Sequence, residues 1–227
     1  MPYKFKRKFK DHLGVPSLHW SLLNLKLIGF NPEFVVDIGA YHGEWTSSFL
    51  EVFPNTTVLM IEAQRSKEMH LHKICHLNPK CRYQIELLSS EKGKSIAFYE
   101  NETASHVVNY DEDNTVRIDS DTIDCVMEKE MLYPDFIKLD VQGHELEILK
   151  GGETTLKNAE FCLLEVSLLE LSGEPSFATV IDFMDQRGFQ AYDICQFMRR
   201  PFDHALYQVD LLFINKRSEF IKNRRWS

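Results

Sequence analysis

Carboxylates stand at the ends of several apolar runs in this chain of 227 residues. The runs and their acids are FVVDI (34–38) with Asp37, TVLMIE (57–62) with Glu62, DFIKLD (135–140) with Asp140, and FCLLEVS (161–167) with Glu165. An apolar strand does not need a carboxylate in order to fold, and open parallel sheets bind ligands beyond the carboxyl ends of their strands. Together with Ser89 and Ser90, which end a further run, these residues indicate a ligand site at one edge of a sheet.

The turn after the first run reads G-A-Y-H-G, from Gly39 to Gly43. Gly39 permits a positive φ or the close approach of a ligand to the backbone, and Gly43 starts the next helix. The dinucleotide fingerprint G-x-G-x-x-G requires a middle glycine that is missing here. Asp37 suits a cationic or hydroxylated ligand, and Glu62 could accept both hydroxyls of a ribose. S-adenosylmethionine combines an ammonium with a ribose and has no phosphate. A strand-to-helix turn without any ligand is the alternative.

A second group of polar residues lies in DFIKLDVQGHELEILKGG, residues 135–152. Strand alternation puts Phe136, Lys138 and Asp140 on one face. A lysine in a buried strand is costly unless it is paired, and Asp140 is the natural partner. His144 begins the following helix and Glu165 ends the next strand, so these side chains are expected to converge. A buried structural ion pair with a capping histidine is the alternative interpretation.

The segments that carry these residues alternate between helix-like and strand-like patterns. Apolar spacings of three and four predict helices at 17–28, 44–53, 64–77, 121–131, 144–152 and 177–188. Strands are predicted at 34–38, 57–62, 83–90, after Gly93, and at 135–140, 161–167, 189–195 and 206–215. Helices between apolar strands indicate a parallel sheet covered on both faces. The last two strands lack a helix between them, so the final strand should be antiparallel. The predicted fold is a doubly wound α/β sheet of about seven strands.

Three local features complete the structural prediction. Residues 101–120 are acidic and lack a clean period, which predicts a long loop or an insertion. Ser120 or Asp121 is expected to cap the helix at 121–131. Gly151 and Gly152 are expected to form a left-handed cap at the end of the helix at 144–152.

Charge and cysteine content restrict the class of protein. The formal net charge is −8, and residues 1–10 and 216–227 hold ten basic residues against one acidic residue, so the body between them is strongly acidic. An acidic body argues against a broad nucleic-acid surface, and the short basic ends are typical of solvated termini, with anionic lipid or polymer as the alternative contact. Five cysteines without a CxxC pair predict reduced thiols rather than a disulfide framework or a zinc site. Lacking a signal-peptide core or an apolar run of membrane length, the chain is expected to be cytoplasmic, without stable membrane insertion.

An ordered set of motifs resembles one protein family. Across residues 33–215 the chain contains, in order, VVDIGAYHGEWT, MIEAQ, LLSSEKGKSIAFY, DTID, DFIKLDVQGHELEILKGGE, LLEVS and QVDLLFI. Together they look like the signature of FkbM-type S-adenosylmethionine-dependent methyltransferases. The resemblance implies a Rossmann-like class I methyltransferase domain at 33–215, between a basic tail with an accessory helix (1–32) and a basic tail (216–227). It also implies O-methylation of a hydroxyl on a sugar, glycan or other small biosynthetic molecule.

The same resemblance implies which residues contact the cofactor. Asp37, Gly39 and Ala40 would border the methionine part, Glu62 the ribose, and Ser89 and Ser90 the adenine. The other predicted cofactor residues are Tyr41, Gly43, Ala63 and Asp140. The chain departs from the family pattern at Ser90, where many relatives have an aspartate, and at Gln142, where a glutamate is common.

Methyl transfer to a hydroxyl requires positioning of the acceptor and removal of its proton. His144 is the predicted general base, because the ordinary pKa of histidine lies near neutrality. Asp140 could orient His144 or act as the base itself, and Lys138 could stabilise an alkoxide or neutralise Asp140. Asp140 and Glu165 could instead bind Mg²⁺, but no ligand spacing supports that metal, and none is predicted.

The methyl acceptor should enter over the same edge of the sheet. Its predicted walls are residues 101–116, with Tyr110, and the segment MRRPFDH at 198–204, where Arg199 and Arg200 could attract an anionic acceptor. A solvated loop is the alternative for that segment. The predicted substrate-binding residues are Glu165, His106 and Arg199, with Asn109 and Asp210 as further pocket residues.

Two other classes of protein share this type of sheet. A non-catalytic binding or scaffold protein of a biosynthetic pathway is the alternative function. A nicotinamide oxidoreductase is disfavoured, because the chain lacks the middle glycine and any Tyr-x-x-x-Lys pair.

Overall fold

The computed structural model describes residues 15–108, 114–171 and 174–222. Its helices are α1 Leu18–Leu27, α2 Glu44–Val52, α3 Glu68–Leu77, α4 Ile123–Glu130, α5 Glu145–Lys150, α6 Glu153–Asn158 and α7 Phe177–Gln186. Its strands are β1 Phe34–Ile38, β2 Thr57–Glu62, β3 Cys81–Ile85, β4 Ser95–Tyr99, β5 His106–Val108, β6 Thr115–Asp119, β7 Phe136–Leu139, β8 Phe161–Ser167, β9 Phe189–Arg199 and β10 Leu206–Asn215. Residues 1–14 and 223–227 of the two predicted terminal segments lie outside the described residues, as do Asn109 and Tyr110.

Seven strands form one sheet in the order β3-β2-β1-β7-β8-β10-β9. The neighbouring pairs β3-β2, β2-β1, β1-β7 and β7-β8 are parallel, and β10 is antiparallel to both of its neighbours, β8 and β9. The predicted doubly wound sheet with an antiparallel last strand is confirmed. The chain leaves β1 towards β2 and β3 and later returns to β7 on the other side of β1. The carboxyl ends of β1 and β7 therefore flank the point where the strand order reverses, which is where such sheets bind ligands.

Apolar side chains alternate between the two faces of this sheet and build two buried layers. Phe136 packs with Leu25 of α1 and Phe49 of α2 on one face, whereas Ile137 and Leu139 pack with residues of α4, α5 and α7 on the other. All of these side chains are buried. The alternation predicted for residues 135–140 is therefore confirmed.

Of the two predictions for residues 101–120, a long loop or an insertion, the long loop is wrong for the described part. β4, β5 and β6 form a separate three-stranded antiparallel sheet in the order β5-β4-β6, called the small sheet below. Ile96 and Phe98 of β4 form a buried apolar cluster with Leu87. Val107 and Ile118 pack against this cluster. The many acids and amides between these few apolar residues hide their alternation in the sequence.

Two predicted helix ends are also corrected. Thr122 caps α4, because its hydroxyl accepts a hydrogen bond from the Cys125 amide at 3.2 Å, so neither Ser120 nor Asp121 is the cap. Gly151 and Gly152 have negative φ angles of −81° and −134°. A Cβ at Gly151 would lie 2.3 Å from the Ser89 carbonyl oxygen, so close packing explains this glycine, and α6 follows directly.

Within the described ranges, no helix combines the length and the apolar character needed to cross a membrane. The five cysteines are free thiols, as the sequence predicts.

Candidate active site

A cavity of about 400 Å³ opens at the carboxyl edge of the large sheet. Its volume lies in the range of roughly 300–1,000 Å³ that is usual for small-molecule sites. The sequence-predicted residues that line it are Gly39, Ala40, Tyr41, Glu62, Ala63, Lys138, Asp140, His144 and Glu165. The polar residues at the ends of four neighbouring strands are thus brought to one cavity, called the edge cavity below.

The turn after β1 is wedged between the ends of β2 and β7. The amides of Gly39 and Ala40 donate to the Ile61 carbonyl oxygen at 2.9 and 3.2 Å. Gly39 has a φ of +73°, and a Cβ at this position would lie 1.9 Å from the Asp140 carbonyl oxygen. Only glycine therefore fits where the two chain segments meet at the floor of the edge cavity.

Glu62 presents a fixed carboxylate to the edge cavity. Its Oε2 accepts from the Tyr41 amide at 2.8 Å, and its Oε1 accepts from the Gln64 amide at 2.9 Å. The residue is only 5% exposed, although it lines the cavity. Each oxygen keeps a second lone pair, so the carboxylate can accept two hydroxyl hydrogen bonds without moving.

Asp37 is buried behind the cavity and does not line it, so the predicted direct contact with a cofactor is corrected. Asp37 and Lys138 are register partners on β1 and β7, with Lys138 Nζ 3.1 Å from Asp37 Oδ1 in an ion pair that lacks the alignment of a hydrogen bond. Thr46 donates to the other Asp37 oxygen at 2.6 Å. Lys138 also donates to the Gly39 carbonyl at 2.9 Å. The Asp37–Lys138 ion pair therefore holds the turn in place through the Gly39 carbonyl.

Asp140 was the predicted partner of Lys138, and its Oδ2 lies 3.7 Å from Lys138 Nζ. Asp37 Oδ1 is closer, at 3.1 Å. Burial by itself would lower the pKa of Lys138, but the charges of Asp37 and Asp140 outweigh it and raise the pKa above its usual value. Lys138 is therefore a cation at neutral pH and neutralises part of this acidic floor.

Asp140 and Glu165 share one hydrogen-bond donor. Gln142 Nε2 lies 3.1 Å from Asp140 Oδ1 and 2.8 Å from Glu165 Oε2. Burial, followed by the charges of Asp140 and Asp210, raises the pKa of Glu165 to about 9, and Asp210, its register partner on β10, has a pKa raised by burial to about 6. Across the described ranges, no group of three or more histidine, cysteine or acidic residues is arranged to hold a metal ion.

Glu145 is the buried acid beneath this group, and its burial predicts a pH-dependent stability. Its Oε1 accepts from the amides of Val141 and Gly143 at 3.0 and 3.2 Å, yet burial raises its pKa from 4.5 to about 7. Between these two pH values the unfolded chain has lost the proton that the folded chain keeps. The free energy of unfolding therefore falls as pH rises from about 4.5 to about 7.

Glu145→Gln removes this titration and keeps an oxygen acceptor for both amides. As pH rises from 4.5 to 7.5, the free energy of unfolding of the variant should increase relative to that of the parent by up to about 3 kcal/mol. Urea unfolding at the two pH values measures the gain. The neighbouring acids titrate in both proteins, so their contribution cancels in the comparison. If the difference in the free energy of unfolding between variant and parent did not change with pH, the raised pKa of Glu145 would be contradicted.

His144 lies at the cavity wall with a partner other than the predicted one. Its Nε2 is 3.1 Å from Ser89 Oγ, while Asp140 is bonded to Gln142, so Ser89 rather than Asp140 orients the ring. Burial lowers the pKa of His144 below its usual value, and the nearby Glu147 carboxylate only partly opposes this. The imidazole is therefore neutral at neutral pH and able to accept a proton.

Three other predicted cofactor residues do not line the edge cavity. Gly43 faces the helix side, where an added Cβ would lie 3.0 Å from Ile74 Cγ1. Ser89 is bonded to His144, and Ser90 donates to Glu147 at 3.0 Å. β3 ends at Ile85, five residues before the predicted end at 90, so the segment that passes the cavity is 86–88.

The small sheet supplies a wall that the sequence reading only partly anticipated. Phe98, Glu102, Ser105 and Val107 line the edge cavity, so part of the segment 101–116 lies at this cavity. Trp45, Gln142, Leu87 and Leu88 are further lining residues that were not predicted as cavity residues. The departure of Gln142 from the motif pattern was the one signal that could have singled it out.

A second cavity of about 800 Å³ adjoins the first and shares Val107, Gln142 and His144 with it. His106 lines this second cavity, and its Nδ1 lies 2.8 Å from the Ala104 carbonyl oxygen. Arg199 lines neither cavity. Its guanidinium donates to the His204 carbonyl at 2.9 Å in the exposed turn between β9 and β10, so the predicted substrate contact of Arg199 is corrected.

Two solved structures that share this fold are methyltransferases. The methyltransferase FkbM from Methylobacillus flagellatus KT is 19% identical, with a TM-score of 0.51 over 80% of this chain and 43% of that chain. The precorrin-6y C5,15-methyltransferase from Geobacter metallireducens GS-15 is 10% identical, with a TM-score of 0.51 over 87% of each chain. At these identities the likeness establishes the fold, and this chain spans less than half of the FkbM structure's length. A search of curated proteins finds no match.

The sequence itself matches the family described as the methyltransferase FkbM domain over residues 37–191. This range starts at Asp37 and includes Glu62, Lys138, Asp140, His144 and Glu165, the polar residues that meet at the edge of the sheet. The chain belongs to the FkbM methyltransferase family.

Proposed function

We propose that this FkbM-family methyltransferase transfers the methyl group of S-adenosylmethionine to a hydroxyl of a sugar, glycan or other small biosynthetic molecule. The observation that carries the proposal is the position of His144. The neutral imidazole lies on the wall shared by the edge cavity and the second cavity. A base at such a junction can take the proton of a hydroxyl that enters from one cavity towards a donor in the other.

The edge cavity fits the methyl donor that family membership implies. Glu62 offers two fixed acceptor oxygens to a ribose diol, and Gly39 and Ala40 leave room for the close approach of the methionine part. Leu87 and Leu88 give the cavity an apolar wall for the adenine, in place of the predicted Ser89 and Ser90. When bound, S-adenosylmethionine supplies an electrophilic methyl group on a sulfonium.

The chain's own residues then have distinct tasks in the proposed reaction. His144, oriented by Ser89, accepts the proton of the acceptor hydroxyl. Asp140 and Glu165, held by the single amide of Gln142, form the polar floor, and Lys138 balances its charge. The second cavity is lined by polar side chains, including Ser95, His106, Arg117 and Glu147, which suit a hydroxyl-rich acceptor. No metal is part of this proposal.

Two measurements test the proposal in sequence. Calorimetric titration with S-adenosylhomocysteine measures binding of the nucleoside, and transfer of tritiated methyl to neutral and acidic mono- and oligosaccharides measures the reaction. Binding with transfer to hydroxyls supports the proposal. Transfer only to amine or carbon acceptors would contradict O-methylation, whereas binding without any transfer would favour the scaffold alternative.

His144→Ala should separate binding from turnover. We expect the dissociation constant for S-adenosylhomocysteine to stay within threefold, because the proposal gives Glu62 the main polar contact with the nucleoside. Methyl transfer should fall by about 100-fold to 10,000-fold, the usual contribution of a general base. His76→Ala, at an exposed position on α3, is the matched control. Full activity in His144→Ala would remove this histidine from the mechanism.

A further inference from the structure

The turn at residues 100–105 of the small sheet is tied to the carboxylate of Glu62 through two residues. Tyr41 donates its amide to Glu62 Oε2 at 2.8 Å and its hydroxyl to Glu102 Oε2 at 2.8 Å. Gln64 donates its amide to Glu62 Oε1 at 2.9 Å and its side-chain amide to the Glu102 carbonyl oxygen at 3.1 Å. The two donors that fix Glu62 are therefore the same two residues that hold Glu102, and the four residues form a closed ring.

Lys67 adds a charge to this ring. Its ammonium lies 2.5 Å from Glu102 Oε2 and 4.7 Å from the centre of the Tyr41 ring, so it contacts both partners. The Lys67 side chain is only 7% exposed, whereas that of Glu102 is 72% exposed. The hydrogen bonds from Lys67 and Tyr41 lower the pKa of Glu102 below its usual value. The exposed side chain of Glu102 therefore contacts a buried cation, the ammonium of Lys67.

The backbone at both ends of this contact has an unusual conformation. Tyr41 and Glu102 have φ angles of +49° and +48°, in the left-handed region that costs free energy for residues with a Cβ. Ser105 braces the turn, because its hydroxyl accepts from the Asn101 amide at 2.7 Å and donates to the Glu102 carbonyl at 2.8 Å. Tyr41, Glu102 and Ser105 all line the edge cavity, so the strained contact closes over the cavity itself.

We propose that Glu102, with Tyr41 and Lys67, is a latch that holds the small sheet over the edge cavity and thereby fixes Glu62 against the ribose of S-adenosylmethionine. Glu102 is a positioning residue, since it acts through the residues that hold Glu62. The inference rests on the proposed use of the edge cavity as the methyl-donor site. Its consequence is kinetic: the latch must open before the nucleoside leaves, so weakening the latch speeds dissociation.

Glu102→Ala removes the ion pair and the tyrosine hydrogen bond, and Glu102→Gln removes only the charge. We expect the dissociation rate of S-adenosylhomocysteine to rise at least tenfold in Glu102→Ala and less in Glu102→Gln. The rate is measured by displacing tritiated S-adenosylhomocysteine with an excess of unlabelled compound. Glu100→Ala is the matched control, since this acid lies two residues away and makes no side-chain hydrogen bond or ion pair with the described residues. Lys67→Met should repeat the effect of Glu102→Gln, with Lys73→Met at an exposed position of α3 as its control.

A second readout does not depend on any ligand. If Glu102 latches the small sheet, trypsin should cleave Glu102→Ala faster than Glu100→Ala after Lys94 and after Arg117, while both variants keep the parent melting temperature. Parent-like dissociation and cleavage rates in Glu102→Ala would overturn the latch and leave the proposed function intact. A parent protein that binds no S-adenosylhomocysteine would overturn the proposed function and, with it, this inference.

Discussion

Gly39→Ala is expected to prevent the chain from folding to a stable native state. The new Cβ would lie 1.9 Å from the carbonyl oxygen and 2.9 Å from the carbonyl carbon of Asp140. Both atoms are backbone, so they cannot turn aside as a flexible side chain could. Relief would require β1 and β7 to separate at the centre of the sheet. We expect a loss of more than about 4 kcal/mol, in the exceptional range for a single substitution and comparable with the whole stability of many domains.

The chain offers a matched control for this prediction. Gly93 has the same φ of +73° as Gly39, but nothing lies within 4 Å of an added Cβ. Gly93→Ala therefore carries only the conformational cost of a left-handed alanine, about 1–2 kcal/mol. The soluble yield and the urea unfolding midpoint of the two variants separate contact from conformation. If both variants lost the same stability, the close contact between Gly39 and the Asp140 backbone would be contradicted.

Glu62→Gln should cause a large loss of nucleoside binding. The substituted amide would place an NH₂ group where either the Tyr41 or the Gln64 amide now donates, so the side chain must turn or lose a hydrogen bond. It also removes the negative charge that strengthens hydrogen bonds from hydroxyls. We expect the dissociation constant for S-adenosylhomocysteine to rise about 100-fold, which corresponds to about 2.7 kcal/mol. Isothermal titration calorimetry measures this change.

Glu68→Gln is the control for the change of charge. Glu68 lies on α3, six residues from Glu62, and it does not line the edge cavity. Its substitution should leave the affinity within twofold of the parent. If Glu62→Gln also stayed within twofold while remaining folded, Glu62 would not be the ribose ligand, and the edge cavity would need another occupant.

Sequence reasoning succeeded where local patterns govern the structure. FVVDI, TVLMIE and FCLLEVS are strands with the predicted bounds, because continuous apolar runs of this length are buried on both faces of a parallel sheet. The parallel order in turn brings the ends of neighbouring strands to one edge. The convergence of Glu62, Asp140 and Glu165 on one cavity therefore followed from the sequence alone.

Sequence reasoning failed where partners are chosen across the fold. Lys138 was expected to pair with Asp140, two residues away, but the register of β1 against β7 brings Asp37 closer. Asp37 and Lys138 are 101 positions apart, and no local period reports such a register. The same holds for His144, whose partner is Ser89.

The sequence by itself therefore determined the type of sheet, the edge that holds the cavity and the polar strand-end residues that line it, because these depend on alternation and on strand direction. The tertiary structure decided which polar groups meet. It buried Asp37 behind the turn, turned a predicted loop into a small sheet and joined Glu102 to Tyr41 and Lys67. Hydrogen bonds and ion pairs act over about 3 Å, and residues distant in the chain come that close only after the strands have taken their register.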